Sequence, residues 1–413
     1  MNMKRIFWLI LAISLLAIVP GTLMAQEQIV IKQWYHQYGE AGTQEAVMKF
    51  AEEYMALHPD IKIEVTWIPG DYGARLNTAM AVPEEAPDVY ETQVNRDGAL
   101  AGLYTDLSDL YTPELIDDFG AAHMAQVSID GIPYGIKMID DTGVIYYLKS
   151  QFEEAGLQPP TTFDEFIAVA QALTTDDQAG LFLGNGGTFG AVQLLNGTGA
   201  TRITPEGELG FTAEDIAKAA SKMKELYDSG TLLTGAPTDW WDPSVFLDGL
   251  AAMQYGGLWS MPAILEVYGD DVGVFAIPAI DADGTATAWI GGWTQVVNPK
   301  SPNLEAAVAY ANWLWIENTE IQKEWALAYG FHVPPRASVA AEAEPLQNSP
   351  ALDVVQILQQ YGYPEGHELW NGVMGTALDD AFNRIIKEGS DPMAEATAAV
   401  EIIQTELDAI QGE

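Results

Sequence analysis

Tryptophan is the residue type whose placement in this chain most invites chemistry. Of the twelve present, Trp34 closes an apolar stretch that begins at Ile29. Trp240 and Trp241 stand between Pro237 and Pro243, Trp259 follows Gly256 and Gly257, and Trp293 follows Gly291 and Gly292. These are turn and element-end positions, where a core residue is less expected. A glycine beside an aromatic ring lets a ligand or a second backbone come close. An indole face is flat and apolar, so it suits the C–H face of a sugar ring, whose hydroxyls then turn to carboxylates and amides. Core packing competes with this reading for any single tryptophan; the set together predicts a ligand cleft. Trp313, Trp315 and Trp325 lie at helical spacing among Ala, Leu and Ile and are assigned to packing.

Other chemistries find little support. The chain has no cysteine, which excludes disulfides, thiolate metal sites and thiol catalysis. Asp281, Ala282, Asp283 and Gly284 open like a calcium loop but lack the later ligands and closing Glu, and read as a turn. The glycine-rich stretch at 184–187 lacks the Gly-Lys-Ser/Thr ending of a phosphate loop, and neither a His-Glu-x-x-His nor a Gly-x-Ser-x-Gly motif occurs. No catalytic residue, metal or cofactor is therefore expected, and the chain is read as a non-enzyme. With 59 acids a chance carboxylate pair is inevitable, so a secreted polysaccharide-degrading enzyme stays open as a competing class. Only 18 Lys and Arg stand against those acids, for a net charge of −41. Nucleic acid, which needs basic residues to neutralise its phosphates, is excluded as a partner.

Positioning such tryptophans takes a framework, and the sequence supplies an α/β one. Residues 29–31 run as a strand into Trp34, Tyr35 and His36. A helix over 42–57 follows, with Val47, Phe50, Ala51 and Tyr54 on one face, and His58, Pro59 and Asp60 stop it. Alternation at 61–65 predicts a second strand, 72–80 a second helix, and 87–90 a third strand. This order means parallel α/β structure. The stretch 148–272 reads as richer in helix, at 163–173, 213–228 and 243–250. A strand is expected over 288–297, and helices dominate from 301 to the end.

The first 25 residues stand apart. Lys4 and Arg5 precede an apolar run at 6–19 interrupted only by Ser14; Pro20 and Gly21 break it, and Ala25 offers a small residue for cleavage. This is the layout of a secretory signal peptide, too short to span a bilayer, which takes about 20 residues. Cleavage removes Lys4 and Arg5 and takes the net charge to about −43. The remaining length is comfortable for two cores. With no cysteine after the signal, the mature protein is expected to be exported to the periplasm or extracellular space without a cysteine-borne lipid anchor.

One stretch carries a family likeness. Residues 130–166 contain Asp130-Gly-Ile-Pro-Tyr-Gly-Ile, then Val144-Ile-Tyr-Tyr-Leu-Lys, then Phe152-Glu-Glu-Ala-Gly-Leu-Gln-Pro-Pro-Thr-Thr-Phe-Asp-Glu-Phe. This resembles the signature of the extracellular solute-binding proteins of ABC sugar importers, the maltose-binding-protein-like family. Phe246-Leu-Asp-Gly-Leu-Ala-Ala-Met, leading to Gly257-Leu-Trp259, resembles a later family motif. Gly291-Gly-Trp with Asn303-Leu-Glu-Ala-Ala and Gln322, then Val333-Pro-Pro-Arg336, continue the resemblance in the right order.

The resemblance implies a two-lobed α/β periplasmic-binding-protein fold of type II, with a cleft between lobes and hinge crossings near 136–141, 290–293 and 333–336. It implies lobes of 26–137 with 291–335 and 138–290 with 336–413. It implies capture of a mono- or oligosaccharide by a monomer that delivers it to ABC permease subunits. A non-sugar polar solute on the same fold, such as a glycerol phosphodiester or an amino compound, is the alternative. Carried over residue by residue, it points to Trp259 as the stacking aromatic and Trp370 as a late second-lobe aromatic. Asn95 and Arg96 correspond to a polar pair facing hydroxyls, Asp140 and Asp141 to carboxylates at the first crossing, and Trp34, Tyr35 and His36 to the first-strand loop. Trp240, Trp241, Trp293 and Arg336 complete the candidate ligand-binding set. Residues 137–142 depart from the usual family pattern, so the identity of the ligand does not carry over.

Overall fold

The computed structural model of the protein describes residues 28–412; the expected signal peptide lies outside them. Two hydrophobic cores are built on two sheets. The first sheet has five strands, in the order Ile61–Ile68, Ile29–His36, Val89–Thr92, Thr294–Val297 and Gly135–Lys137. Its first three are parallel, with Ile29 opposite Ile61 and Gln33 opposite Val89, and Thr294–Val297 runs antiparallel to both its neighbours. Helix Thr43–Leu57 buries Ala46, Val47, Phe50, Ala51 and Tyr54, the spacing of one helical face. Trp315 and Trp325 are fully or almost fully buried in the same core, and Trp313 packs against Tyr54. All three are packing residues.

The second sheet is formed by Met253–Gly257, Gly143–Leu148 and Val272–Phe275, all antiparallel. The stretch 148–272 is rich in helix, as expected, and holds one whole strand, Met253–Gly257. Helices Phe163–Leu173 and Ala213–Tyr227 are there, each with a threonine capping box, and strand Val272–Phe275 begins where the stretch ends. Met253–Gly257 carries two glycines and is buried at every position, so it shows neither alternation nor the length that marks a strand in sequence. The helix expected over 243–250 shrinks to Ser244–Leu247.

The chain passes between the sheets three times. It leaves Gly135–Lys137 and enters Gly143–Leu148 through 138–142. It returns between Ala288–Ile290 and Thr294–Val297, so the single strand expected over 288–297 is two strands with a crossing between them. It crosses again at 331–335. The crossings are bonded to one another: Asp140 and Val333 exchange both backbone hydrogen bonds at 2.8 and 3.0 Å, Gly291 N donates to Asp141 O at 2.9 Å, and Met138 N donates to Trp293 O at 2.9 Å. Gly292 has φ of 94° and packs its Cα against the Ile139 carbonyl, where no side chain fits. Three short bonded segments, rather than one flexible linker, restrict relative lobe motion to a hinge.

Candidate functional site

Between the two sheets lies a cleft of about 1000 Å³. Strands Ile29–His36 and Val89–Thr92 are parallel and end together, so the residues that follow them, His36 to Glu40 and Gln93, form one wall at the carboxyl edge of the sheet. Ligands of open α/β sheets bind at that edge. The opposite wall comes from 188–193, from Trp240 and Trp241, and from Tyr255 and Trp259 at the end of Met253–Gly257. The crossings form the floor, through Asp141, Trp289, Trp293 and His332.

The aromatic side chains are fixed by hydrogen bonds and by one another. Trp259 Nε1 donates to the Trp241 carbonyl at 2.7 Å, and its ring meets Trp240 edge-on at 5.5 Å. Trp240 also lies 5.5 Å from Tyr255. Gly257 and Gly291 let the indoles of Trp259 and Trp289 lie over the backbone, in space that a β-carbon would occupy. The Tyr255 oxygen accepts from Gln193 Nε2 at 2.7 Å and Trp289 Nε1 at 2.6 Å. Both lone pairs are engaged, so its own hydrogen is left for a third acceptor. Burial pushes this phenol well above its usual pKa, and it acts as a neutral donor. On the other wall the imidazole of His36 stacks on Trp293 at 4.2 Å, and Glu91, fully buried, accepts from His36 N at 2.5 Å and Tyr38 OH at 2.7 Å.

A charged bridge closes the floor. His332 Nδ1 lies 2.8 Å from Asp141 and Nε2 lies 2.7 Å from Glu40. Burial alone would lower the imidazole pKa, but the two carboxylates outweigh it and raise it to about 10. His332 is therefore an imidazolium at neutral pH, donating from both nitrogens. Asp141 further accepts from Thr142 N at 3.0 Å and Leu258 N at 3.3 Å. The first wall, the first crossing and the third crossing are thus joined to one charge cluster.

Of the candidates named from sequence, Trp259, Trp240, Trp241, Trp293, His36 and Asp141 line the cleft. The others lie elsewhere. Trp34 is one pleat inside the strand end and is covered by Ile68, Tyr72 and Tyr90. Tyr35 points to the opposite face and accepts from Gln33 in the core. Asn95 caps helix Arg96–Leu100, accepting from Gly98 N at 2.8 Å. Arg96 pairs with Asp130 at 2.9 Å. Asp140 turns away from the cleft to His123 and Lys137. Trp370 packs on Phe211, with the Arg202 guanidinium over its ring at 5.8 Å. Arg336 is held by Asp118 at 2.7 Å and by the Ile316 carbonyl at 2.8 Å.

Sequence reasoning missed Tyr38, Glu40, Gln193, Tyr255, Trp289, His332 and Glu365, all on the cleft. Only Trp289 carried a signal, two residues before Gly291. The rest meet through tertiary contacts that no local spacing encodes. Among the described residues no group of three or more His, Asp or Glu is arranged to hold a metal.

Comparison with known proteins fits this geometry. The chain is 26% identical over 327 residues to the maltodextrin-binding protein MdxE of Bacillus subtilis, spanning 72% of this chain and 73% of that one. It is 23% identical over 381 residues to a multiple sugar-binding protein of Streptococcus mutans, spanning 87% and 86%. Among solved structures, the GacH receptor of Streptomyces glaucescens, determined unliganded and with acarbose, superposes with a TM-score of 0.76. It is 19% identical, covering 92% of this chain and 99% of that one. The model of the bacterial extracellular solute-binding proteins matches residues 40–314, two thirds of the chain, and with its two lobes, three crossings and cleft the protein belongs to that family.

Proposed function

We propose that this protein captures a carbohydrate in the interlobe cleft and delivers it to the permease of an ABC importer, without chemical turnover. The observation that carries the reading is the aromatic corner of Trp240, Tyr255 and Trp259 facing His36 and Trp293 across the crossings. Sugar faces stack on such rings, and hydroxyls find the Tyr255 hydrogen, Gln93, Gln193 and the free carboxylate oxygens. The relatives named for maltodextrin and multiple-sugar binding support this ligand class. Glu40 and Asp141 are committed to His332, which argues against either serving as a hydrolytic acid.

The ligand-binding residues in this reading are Trp259, Trp240, Trp241, Trp293, His36 and Asp141, joined by Tyr255, Trp289 and Gln193. The lobes divide at the crossings, as 26–137 with 291–335 and 138–290 with the remainder. The short helix Ala337–Ala340 packs on Pro113–Val127, and Arg336 is tied to Asp118. Both support one refinement of that division, with the last boundary beyond Ala340 in place of 336. Export follows from the amino-terminal 25 residues.

A thermal-shift screen of maltodextrins, manno-oligosaccharides and simple hexoses tests the reading. A binder present at 100 times its Kd stabilises by about 2.7 kcal/mol, and chromatography of the mixture after hours should return the sugar unchanged. Trp259→Ala should weaken binding at least tenfold while leaving the ligand-free melting temperature within a few degrees. Hydrolysis products, or a Trp259→Ala protein that binds as well as the parent, would sink the proposal.

A further inference from the structure

The charges on the cleft wall do not cancel. Among the described residues that line it there is no Lys or Arg, and His332 is matched by Glu40 and Asp141. Glu365 also lines it, exposed on the cleft side, and among the described residues its carboxylate has no ion-pair or hydrogen-bond partner. The two buried cations that feel its charge are engaged elsewhere. Lys137 donates to Gln126 and to the Gly291 carbonyl, and Arg202 donates to the Pro364 carbonyl at 2.6 Å.

What stands beside Glu365 separates it from an ordinary solvated acid. A β-carbon at Gly291 would fall 1.7 Å from the Trp289 ring and 2.8 Å from Glu365 Oε2. The carboxylate and the indole therefore share one spot over the second crossing. Trp289 Nε1 donates to Tyr255, which is only 6% exposed and has both lone pairs engaged. The Tyr255 hydrogen thus needs an acceptor, and Glu365 beside it needs a donor. A neutral hydroxyl serves as that donor but leaves the negative charge in place once the ligand displaces water. A cation cancels the charge, and the faces of Trp289 and Tyr255 attract it as well.

We propose, resting on the carbohydrate reading above, that the ligand is an amino sugar, with a protonated amine at Glu365 and a neighbouring hydroxyl oxygen accepting from Tyr255. A 2-amino-2-deoxyhexose carries these two groups on adjacent carbons, and its C–H face remains free to stack. The ring satisfies the aromatic corner and the ammonium satisfies the wall, so one ligand answers both features of the site.

Titration calorimetry at a pH of about 6, where a sugar amine is protonated, tests this with four probes. They are the β-1,4 trisaccharide of glucosamine, its N-acetylated form, cellotriose on the same backbone, and spermidine. The glucosamine trisaccharide should bind at least tenfold more tightly than either neutral sugar, as a charge-assisted contact requires. Its affinity should fall from about 0.01 M to about 0.1 M salt as the attraction is screened. Glu365→Gln should remove most of the preference for the amine. If that variant fails to fold by circular dichroism, the comparison of amine with N-acetyl sugar on the parent decides. A neutral sugar that binds as tightly as the amine would overturn the inference and leave the carbohydrate reading standing. Spermidine binding best would overturn it in favour of a ringless polyamine. Failure of all four probes, with a neutral sugar bound in the wider screen, would also overturn it; failure of every sugar would sink the carbohydrate reading itself.

Discussion

His332 shows at the scale of one residue how a buried charge can be structural and functional together. Its neighbours are Glu40 and Asp141, with His36 near Glu40. Burial works to raise both carboxyls. Around Glu40 the His332 hydrogen bond and charge win and its pKa falls, whereas around Asp141 burial wins and its pKa rises. The folded imidazole, at about 10, lies above its unfolded value of about 6.5. Its contribution to stability is therefore complete below pH about 6.5 and is lost as pH rises through about 10. The melting temperature of the parent should fall across that alkaline range, and the difference between parent and His332→Gln should shrink there. His332→Leu leaves Glu40 and Asp141 facing each other with no cation between them. By analogy with other broken buried pairs it should cost about 3–5 kcal/mol in urea unfolding at pH 7. A cost below about 1 kcal/mol, or a parent-minus-variant difference flat with pH, would show that the bridge is not charged.

At the scale of elements, the crossings decide what the tryptophans can do. Lys137, almost fully buried, donates from Nζ to the Gly291 carbonyl at 2.7 Å and to Gln126 at 2.8 Å, tying the first crossing to the second. Gly292 keeps those two segments in contact. Gly292→Val must adopt a left-handed backbone, which costs about 1–3 kcal/mol for a non-glycine residue, and must push the Ile139 carbonyl away. It should lower stability by at least that amount and weaken sugar binding beyond it. Binding that follows stability alone would mean that the crossings do not position the site. The same elements explain what was legible from sequence. The first lobe follows local rules: residues 61–65 alternate apolar and polar, one face buried and one exposed, and helix Thr43–Leu57 carries a one-sided stripe, so the elements at 29–36, 43–57 and 61–68 emerge with starts correct to within a residue. The second sheet does not, because Met253–Gly257 is fully buried and glycine-rich. The cleft was legible where glycine and tryptophan adjoin, at Trp259 and Trp293. It was illegible at His332, Tyr255 and Glu40, which reach it through pairings up to 292 residues apart. Asn95, Arg96 and Trp370 sit near the cleft in the chain's path, yet their side chains are taken by a helix cap, an ion pair and a core.

The whole molecule adds a field to these contacts. The net charge is −41, and among the described residues lining the cleft there is no Lys or Arg, while Glu40, Asp141, Glu365 and Asp379 are there. The cleft's one buried cation, His332, is already matched by two carboxylates. Such a wall repels anions whatever the shape of the sugar, and low-dielectric walls focus the repulsion. The Debye length contracts from about 30 Å at 0.01 M salt to about 10 Å at 0.1 M, so the repulsion should be strongest in dilute buffer. Titration calorimetry of the best neutral oligosaccharide should give the same Kd at both salt concentrations, because no charge is brought in. Trigalacturonate should bind at least tenfold more weakly in dilute buffer and recover part of that loss at the higher salt. Glu365→Gln, which removes a carboxylate at the second crossing without changing its size, should narrow the gap between the two sugars. A uronate that binds as tightly as the neutral sugar in dilute buffer would show that acids on the wall do not set selectivity, and that ring stacking alone chooses the ligand.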